Sequence, residues 1–416
     1  MRYVIVGASA AGISAAKKLR ELDDDSEITI ISKDDKVYSR CMLHYLISGQ
    51  RDVEELNFIP KDFFIENKIN WIKGKTVSSV VPNQKSLILE DGKSIFYDKL
   101  LLATGASSFF PPIENLSETE GIYGLRNLDD ALEIKDSAKE IEQAIVIGAG
   151  LVGIDAAIGL AELGVKVSVI EMADRILPLQ LDDKLAAKYQ AKFEESGIEI
   201  ITNAKANKVL ADNENYVRGL ELTDGQIIDG KLIVVATGVR PNIGLIKGTE
   251  IEVDQGIIVD EYQQSSLEDI YAAGDVAQSK ELFTNELALT PIWPLAIKQG
   301  EVAACNMVGI TTRLSDNFAY QNSMRFLGLS TITYGLIEAE DDGYQTLIRE
   351  DKDNYQKLIL QNNKLKGAIF QGEINGSGVY GRLIKDKIDL SDKLDDIFNL
   401  TYADFFKENK DGVFSY

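Results

Sequence analysis

Histidine occurs once in this 416-residue sequence and cysteine twice. Two thiols and one imidazole fall short of the ligands that an iron–sulfur cluster or a structural zinc site requires, so no metal site is expected and any metal chemistry would belong to a partner. Two cysteines far apart make no disulfide framework either. Positive charge is scarce: 44 Lys and Arg face 66 Asp and Glu, a net charge of −22. Such acidity argues against nucleic acid and against an anionic membrane as partners. No apolar run approaches the ~18 residues that suggest a membrane span. The opening MRYVIVGASAAG reads as a strand and a Gly-rich turn, not as a signal or transit peptide, so a cytoplasmic location is expected.

What the chain does contain is an internal repeat. An apolar strand, a Gly-rich turn and an Ala-rich helix occur in YVIVGASAAGISAAKKL and again in AIVIGAGLVGIDAAIGLAEL, with Gly7 and Gly148 separated by 141 residues. A second signature, LLLATGAS and then IVVATGVRPN, repeats from Ala103 to Ala236, an offset of 133. Two βαβ nucleotide-binding folds, each closed by a strand ending in Ala-Thr-Gly, explain both offsets. After the first repeat comes an alternating stretch whose Asp91-Gly92 predicts a hairpin. The helical pattern QLDDKLAAKYQAKFEESG follows the second repeat. Beyond Val308-Gly309 the segments predict alternating strands, with helical residues returning near DLSDKLDDIFN. The expected class is α/β: two Rossmann-like three-layer domains and a C-terminal α+β domain.

Glycines in a strand-to-helix turn let the backbone approach a pyrophosphate, and the helix N-terminus supplies unpaired N–H groups. The second loop, Gly148-Ala-Gly150-Leu151-Val152-Gly153, is a full match to that pattern. The next strand ends in Glu171, 18 residues beyond Gly153, where a carboxylate accepts from ribose hydroxyls and repels a 2′-phosphate. This favours NADH over NADPH, although Arg175 lies nearby in sequence. The first loop, Gly7-Ala-Ser9-Ala10-Ala11-Gly12, has Ser9 in place of the middle glycine. Its second strand ends in Ser32-Lys33-Asp34 where an acid is usual; Ser32 can bond a ribose hydroxyl, with Asp34 as the alternative. DIYAAGDVA places Gly274 and Asp275 at a strand end beside a helix start.

Taken in order, GxSxxG, ATG, GxGxxG with its distal Glu, ATGVRPN and IYAAGDVA resemble the FAD-dependent pyridine-nucleotide oxidoreductases of the disulfide-reductase superfamily. The resemblance covers residues 1–310 strongly and the rest loosely. Within that superfamily it is nearest to the NADH:rubredoxin oxidoreductase and nitrite-reductase flavin-domain group, and to flavin–NAD oxidoreductases serving ferredoxin-like proteins. It implies an FAD-binding domain over 1–112 and 241–312, an NAD-binding domain over 113–240 and a C-terminal α+β interface domain over 313–416. It also implies that Asp275 bonds the FAD ribitol and that Thr104-Gly105 lies along the flavin nucleotide. Arg126, Trp293 and Pro294 would lie near FAD, and Gly238 would face the nicotinamide nucleotide.

VYSRCMLHYLISG falls where the superfamily starts a helix under the flavin ring. The dithiol reductases carry a cysteine pair there and a His-Glu near the C-terminus; this chain has neither. Arg40 matches an Arg of the rubredoxin-reductase group. Cys41 aligns with the single redox cysteine of NADH oxidases, peroxidases and coenzyme A disulfide reductases, and a redox role and a packing role both stay open for it. His44 falls at the position of a Lys, and Asp155 at that of a Glu, that pair near flavin N5 in iron–sulfur-protein reductases. A shorter His44–Asp155 pair, putting a cation beside N5, is one expectation; a half-exposed helix histidine is the other. The resemblance thus implies hydride transfer from NADH to flavin N5 and electron exchange with a small iron–sulfur protein, ferredoxin or rubredoxin, in either direction. A Cys41-dependent oxidase, peroxidase or coenzyme A disulfide reductase is the alternative, and a low-turnover flavin redox sensor or subunit is a second one. The aromatic tail YADFFKENKDGVFSY could pack on its own core or in a homodimer.

Overall fold

Tyr3–Val6 is buried on both faces, as a parallel strand covered by helices must be, and it forms the middle of the first sheet. The computed structural model describes residues 1–408 and 414–415. In it, β1 (Arg2–Val6) leads into α1 (Ala10–Leu22), β2 (Glu27–Ser32), the short helix α2 (Leu43–Ile47), β3 (Ile69–Lys73) and β4 (Lys99–Leu102). Between β3 and β4 the strands Ser86–Leu89 and Ser94–Phe96 pair antiparallel around Asp91-Gly92. The second sheet is built from β5 (Ile122–Gly124), β6 (Gln143–Ile147), β7 (Lys166–Ile170), β8 (Ile198–Ile201) and β9 (Ile233–Val235). Its helix α3 (Leu128–Ser137) precedes β6, and α4 (Leu151–Ala161) connects β6 to β7. The chain then returns to the first sheet through β10 (Ile270–Ala272), and α5 (Trp293–Met307) packs on α1. Both sheets are parallel, in the orders β10-β4-β1-β2-β3 and β8-β7-β6-β9-β5.

The two Gly-rich turns are built alike. Gly7 has φ +117°, and a Cβ on it would lie 2.1 Å from the Ala103 carbonyl oxygen; a Cβ on Gly12 would lie 1.9 Å from that of Gly7. In the second turn Gly148 has φ +105°, and a Cβ on Gly153 would again lie 1.9 Å from the Gly148 oxygen. Side chains at these positions would force helix and strand apart.

The chain forms two compact units, Met1–Met172 with Gly197–Ala319, and Ala173–Ser196 with Tyr320–Tyr416. The grouping of 173–196 differs from the stretch 113–240 expected from sequence. The helix Asp183–Glu195 buries Tyr189 and Phe193 against Phe326, and the Tyr189 hydroxyl bonds Leu329 O (2.9 Å) and Thr331 Oγ1 (2.8 Å). Asp182 caps this helix through Leu185 N and also accepts from Tyr355 Oη and Lys357 Nζ, a buried polar cluster that amphipathic spacing alone does not reveal. The second unit's sheet is antiparallel: β11 (Gln321–Phe326), β12 (Leu329–Gly335), β13 (Gln345–Glu350), β14 (Tyr355–Gln361) and β15 (Lys364–Gln371), in the order β11-β12-β15-β14-β13. A second α-helix of this unit, α6 (Gly378–Lys385), lies before DLSDKLDDIFN, where only a 3₁₀ turn forms over Leu394–Asp396. Of the aromatic tail, residues 409–413 and 416 lie outside the described residues. No helix among the described residues is long and apolar enough to cross a membrane.

Candidate active site

A cavity of about 440 Å³ opens at the C-terminal ends of the first sheet's strands. Its wall brings together Gly7, Ser9, Ala10 and Ala11 of the first loop, Ser32, Lys33 and Asp34 after β2, and Arg40 and Cys41 before α2. Thr104, Gly105, Arg126, Gly274, Asp275 and Trp293, also expected near FAD, line it too. Gly12 and Pro294 lie outside the wall: Gly12 packs on Gly7, and Pro294 sits in the first turn of α5.

The donors along this cavity suit a dinucleotide with a pyrophosphate. The first turn of α1 holds no acidic residue, and its N-cap Ser9 makes no side-chain capping bond, so the turn's N–H groups are left for an anion. Arg126 and Asp275 form an ion pair through Nη2 and Oδ2, 149 residues apart in sequence. Arg126 Nε also donates to Ala106 O (3.1 Å). These groups offer acceptors and donors for a polyhydroxyl chain and its phosphates, the make-up of FAD.

Several expected residues turn out to hold the site as well as line it. Arg40 donates to Asp34 Oδ2 (2.7 Å), Tyr38 Oη (2.8 Å), Arg126 O (2.9 Å) and Asn127 Oδ1 (2.8 Å), tying the segment before α2 to the start of α3. The Tyr38 hydroxyl is pushed up to about 12 by burial and stays protonated. Ser32 donates its hydroxyl to Asp34 O (2.7 Å) and accepts from Trp71 Nε1 (2.9 Å), so toward a ribose it can act only as a further acceptor. Trp293 meets Phe58 edge to face at 5.0 Å.

Two residues not expected at the site, Asn242 and Gln299, belong to this framework. Asn242 donates from Nδ2 to Thr104 O and from its backbone N–H to Gly105 O, and accepts at its own carbonyl from Thr104 Oγ1, each at 2.9 Å. It is the last residue of ATGVRPN, so its signal was visible. Gln299 is fully buried, accepts from Gly274 N (2.7 Å) and donates to Thr290 Oγ1 (3.0 Å), holding the Ala-Gly-Asp turn. Nothing in its helical spacing marks it.

At the second loop, Gly150 precedes α4, whose first turn holds Leu151, the exposed Val152 and Gly153. Glu171 follows β7 and accepts from Ala149 N (2.7 Å), so the acid expected to face a ribose also braces its loop. Arg175 is engaged with Asp174 (3.1 Å), Asp183 (3.0 Å) and Leu181 O (3.2 Å). Gly238 has φ +104°, and its carbonyl accepts from Phe109 N.

His44 and Asp155 face each other, Nδ1 to Oδ2 at 3.6 Å, long for a hydrogen bond but within ion-pair range. Burial pushes the Asp155 carboxyl up to about 7; burial first, and then the charge of Arg51, pushes the imidazole down to about 4. Their attraction opposes both shifts, but desolvation is the larger effect. Between those limits the pair holds one proton and no net charge, wherever the proton sits. The cation expected beside N5 is therefore not the form that burial favours. Cys41 is exposed to the open cavity yet flanked by protein, and burial raises its thiol while Arg126 pulls the other way.

Residues 1–300 match the pyridine nucleotide-disulphide oxidoreductase family model, and residues 321–388 match the rubredoxin NAD+ reductase C-terminal domain. The chain belongs to the pyridine nucleotide-disulphide oxidoreductase family. It is an oxidoreductase that uses FAD and NAD(H). It is 32% identical to the NADH-dependent phenylglyoxylate dehydrogenase subunit epsilon of Aromatoleum evansii over 396 residues, 94% of this chain and 93% of that one. It is 30% identical to the NADH-rubredoxin oxidoreductase of Clostridium acetobutylicum over 400 residues, 96% and 97% of the two chains. Among solved structures, the NAD-dependent persulfide reductase from A. fulgidus aligns with a TM-score of 0.87 at 27% identity, covering 94% of this chain and 78% of that one.

Proposed function

We propose that the protein exchanges electrons between NAD(H) and a small iron–sulfur protein, a rubredoxin or ferredoxin. The observation that carries this reading is a single thiol at the cavity. Cys41 lines the wall, whereas the only other cysteine, Cys305 on α5, does not, and both are free. A dithiol store for an electron pair has no second sulfur, so the electrons leave without one. The rubredoxin-reductase match over 321–388 and the likeness to NADH-rubredoxin oxidoreductase support the choice of partner.

Bound FAD supplies the chemistry of accepting a hydride and releasing single electrons. In this reading the chain's residues bind, orient and manage protons. The first loop and the α1 N-terminus hold the pyrophosphate, and Ser32 and Lys33 the adenosine end. Asp275, fixed by Arg126 and by the Gln299-held turn, accepts from the ribitol. The second loop and Glu171 hold NADH. The His44–Asp155 pair keeps one proton beside the reacting ring, movable between carboxyl and imidazole without a change of net charge.

Anaerobic titration with NADH, followed by absorbance, tests the reading. About one equivalent is expected to reduce the bound flavin fully. Two equivalents, with a thiolate-to-flavin charge-transfer band appearing first, would mean that Cys41 rests oxidised. The oxidase, peroxidase and coenzyme A disulfide reading draws on the place of Cys41 in the wall; its raised thiol works against the thiolate such chemistry needs.

The pair also has a stability consequence. The carboxyl of Asp155 titrates higher folded than unfolded, so its contribution is fully present below about pH 4 and is lost as pH rises through about 7. Asp155→Asn removes that loss. The variant is expected to melt a few degrees above the parent at pH 8, with the gap shrinking toward pH 5, in thermal unfolding of the holoenzyme. An equal gap at both values would count against a buried, titrating Asp155.

A further inference from the structure

Helix α4 carries a glycine that the nucleotide loop does not need. Gly159 lies in the helix interior, where glycine costs about 0.5–1 kcal/mol relative to alanine. It is buried and sits four residues after Asp155, so the two share one face of α4. Helix α2 packs on that face. A Cβ built on Gly159 would lie 3.0 Å from the His44 carbonyl oxygen and 3.4 Å from Ile47 Cβ and Cγ2. The His44 carbonyl is not free to turn away, because it accepts from Ser48 N at 3.0 Å. Two helices therefore meet backbone to backbone at Gly159, one turn along from the point where His44 meets Asp155.

We propose that Gly159 is a positioning residue for the His44–Asp155 pair: by presenting no side chain to the His44 carbonyl, it sets the separation at which imidazole and carboxyl face each other. This rests on the reading of that pair as the proton-holding group at the flavin. The separation is sensitive. At 3.6 Å the two groups are already at the long edge of direct contact, so a few tenths of an ångström decide whether they share a proton or are each solvated.

The other charged or titratable groups facing this seam are few. The Arg51 guanidinium, packed over the Tyr45 ring at 5.3 Å, acts on His44. The Cys41 thiol senses Asp155. Gln50 bonds Glu162 at 2.7 Å, joining the segment after α2 to the end of α4. Of these only Glu162 lies on the Asp155 face of α4, seven residues along, and its carboxylate is engaged by Gln50. At Gly159 itself the seam is closed by the His44 carbonyl and the Ile47 side chain, so the identity of residue 159 should set how closely α2 lies on α4 there.

The chain's single histidine makes the test direct, since its ring C–H resonances in a tag-free holoenzyme come from one site. In the parent protein the His44 ring is expected to titrate well below an ordinary histidine, which does so near about 6.5. In Gly159→Leu the helices part and water reaches the ring, so its midpoint should rise by more than one pH unit, with FAD content unchanged. Gly159→Ala should shift it the same way by less, and serves if the leucine variant does not fold. A merely structural glycine would lower the melting temperature and leave the His44 titration where it is, and superimposable titrations in parent and variants would overturn the proposal. His44→Ala separates the two layers. If it leaves the rate of flavin reduction by NADH unchanged while Gly159→Leu moves the titration, the pair's role at the flavin fails and the positioning role stands.

Discussion

Asp275→Ala is expected to purify with little FAD and to bind added FAD about 10- to 100-fold more weakly than the parent. The carboxylate stands after β10, with one oxygen held by Arg126 and the turn beneath it held by Gln299. Removing it takes away an acceptor for a hydroxyl-bearing ligand and leaves the guanidinium of Arg126 without its partner. A hydrogen bond to a charged group contributes about 1.5–3 kcal/mol, which is about 10- to 100-fold in affinity. Asp275→Asn keeps shape and an acceptor oxygen and should fall between. Quenching of flavin fluorescence on titrating FAD into apoprotein measures all three. Equal affinity of the alanine variant and the parent would mean that the cavity holds FAD without Asp275.

Gly153→Val should have the complementary effect: full FAD content, with flavin reduction by NADH slowed roughly 10- to 100-fold at limiting NADH. The first sheet and its cavity do not include Gly153, so FAD has no reason to leave. In the second loop, a side chain there would strike the Gly148 carbonyl, already 1.9 Å from a bare Cβ, and the Ala236 methyl at 3.4 Å. Overpacking of this kind costs about 1–3 kcal/mol, and here it displaces the N–H groups proposed to hold the NADH pyrophosphate. Stopped-flow mixing with NADH, with dithionite as a reductant that needs no binding site, reads the difference. Slowing by both reductants alike would place the damage at the flavin, and unchanged NADH kinetics would remove the second loop from NADH binding.

Gly153, with Gly7, Gly12 and Gly148, was legible because its constraint is local. A strand, a tight turn and a helix start within a dozen residues permit only glycine where helix meets strand, and the apolar runs beside them announce parallel strands buried on both faces. The repeat of that unit 141 residues later, and the Ala-Gly-Asp strand end, were enough for two nucleotide-binding folds and, with the family resemblance they carry, for nearly half of the cavity wall.

What tertiary structure decided is everything that depends on which distant surfaces meet. Arg126 finds Asp275, and Asn242 clamps Thr104-Gly105, across more than a hundred residues. The helix Asp183–Glu195, amphipathic by spacing, gives no hint that its apolar face belongs with Phe326. His44 and Asp155 were matched as a pair from the sequence, but not their charge, because charge follows from desolvation and desolvation from how closely α2 lies on α4. A pattern of residue types records what a segment can bury and how its backbone can turn. The partner it is buried against, and therefore the protonation state of what lies between, is set only when the chain closes on itself.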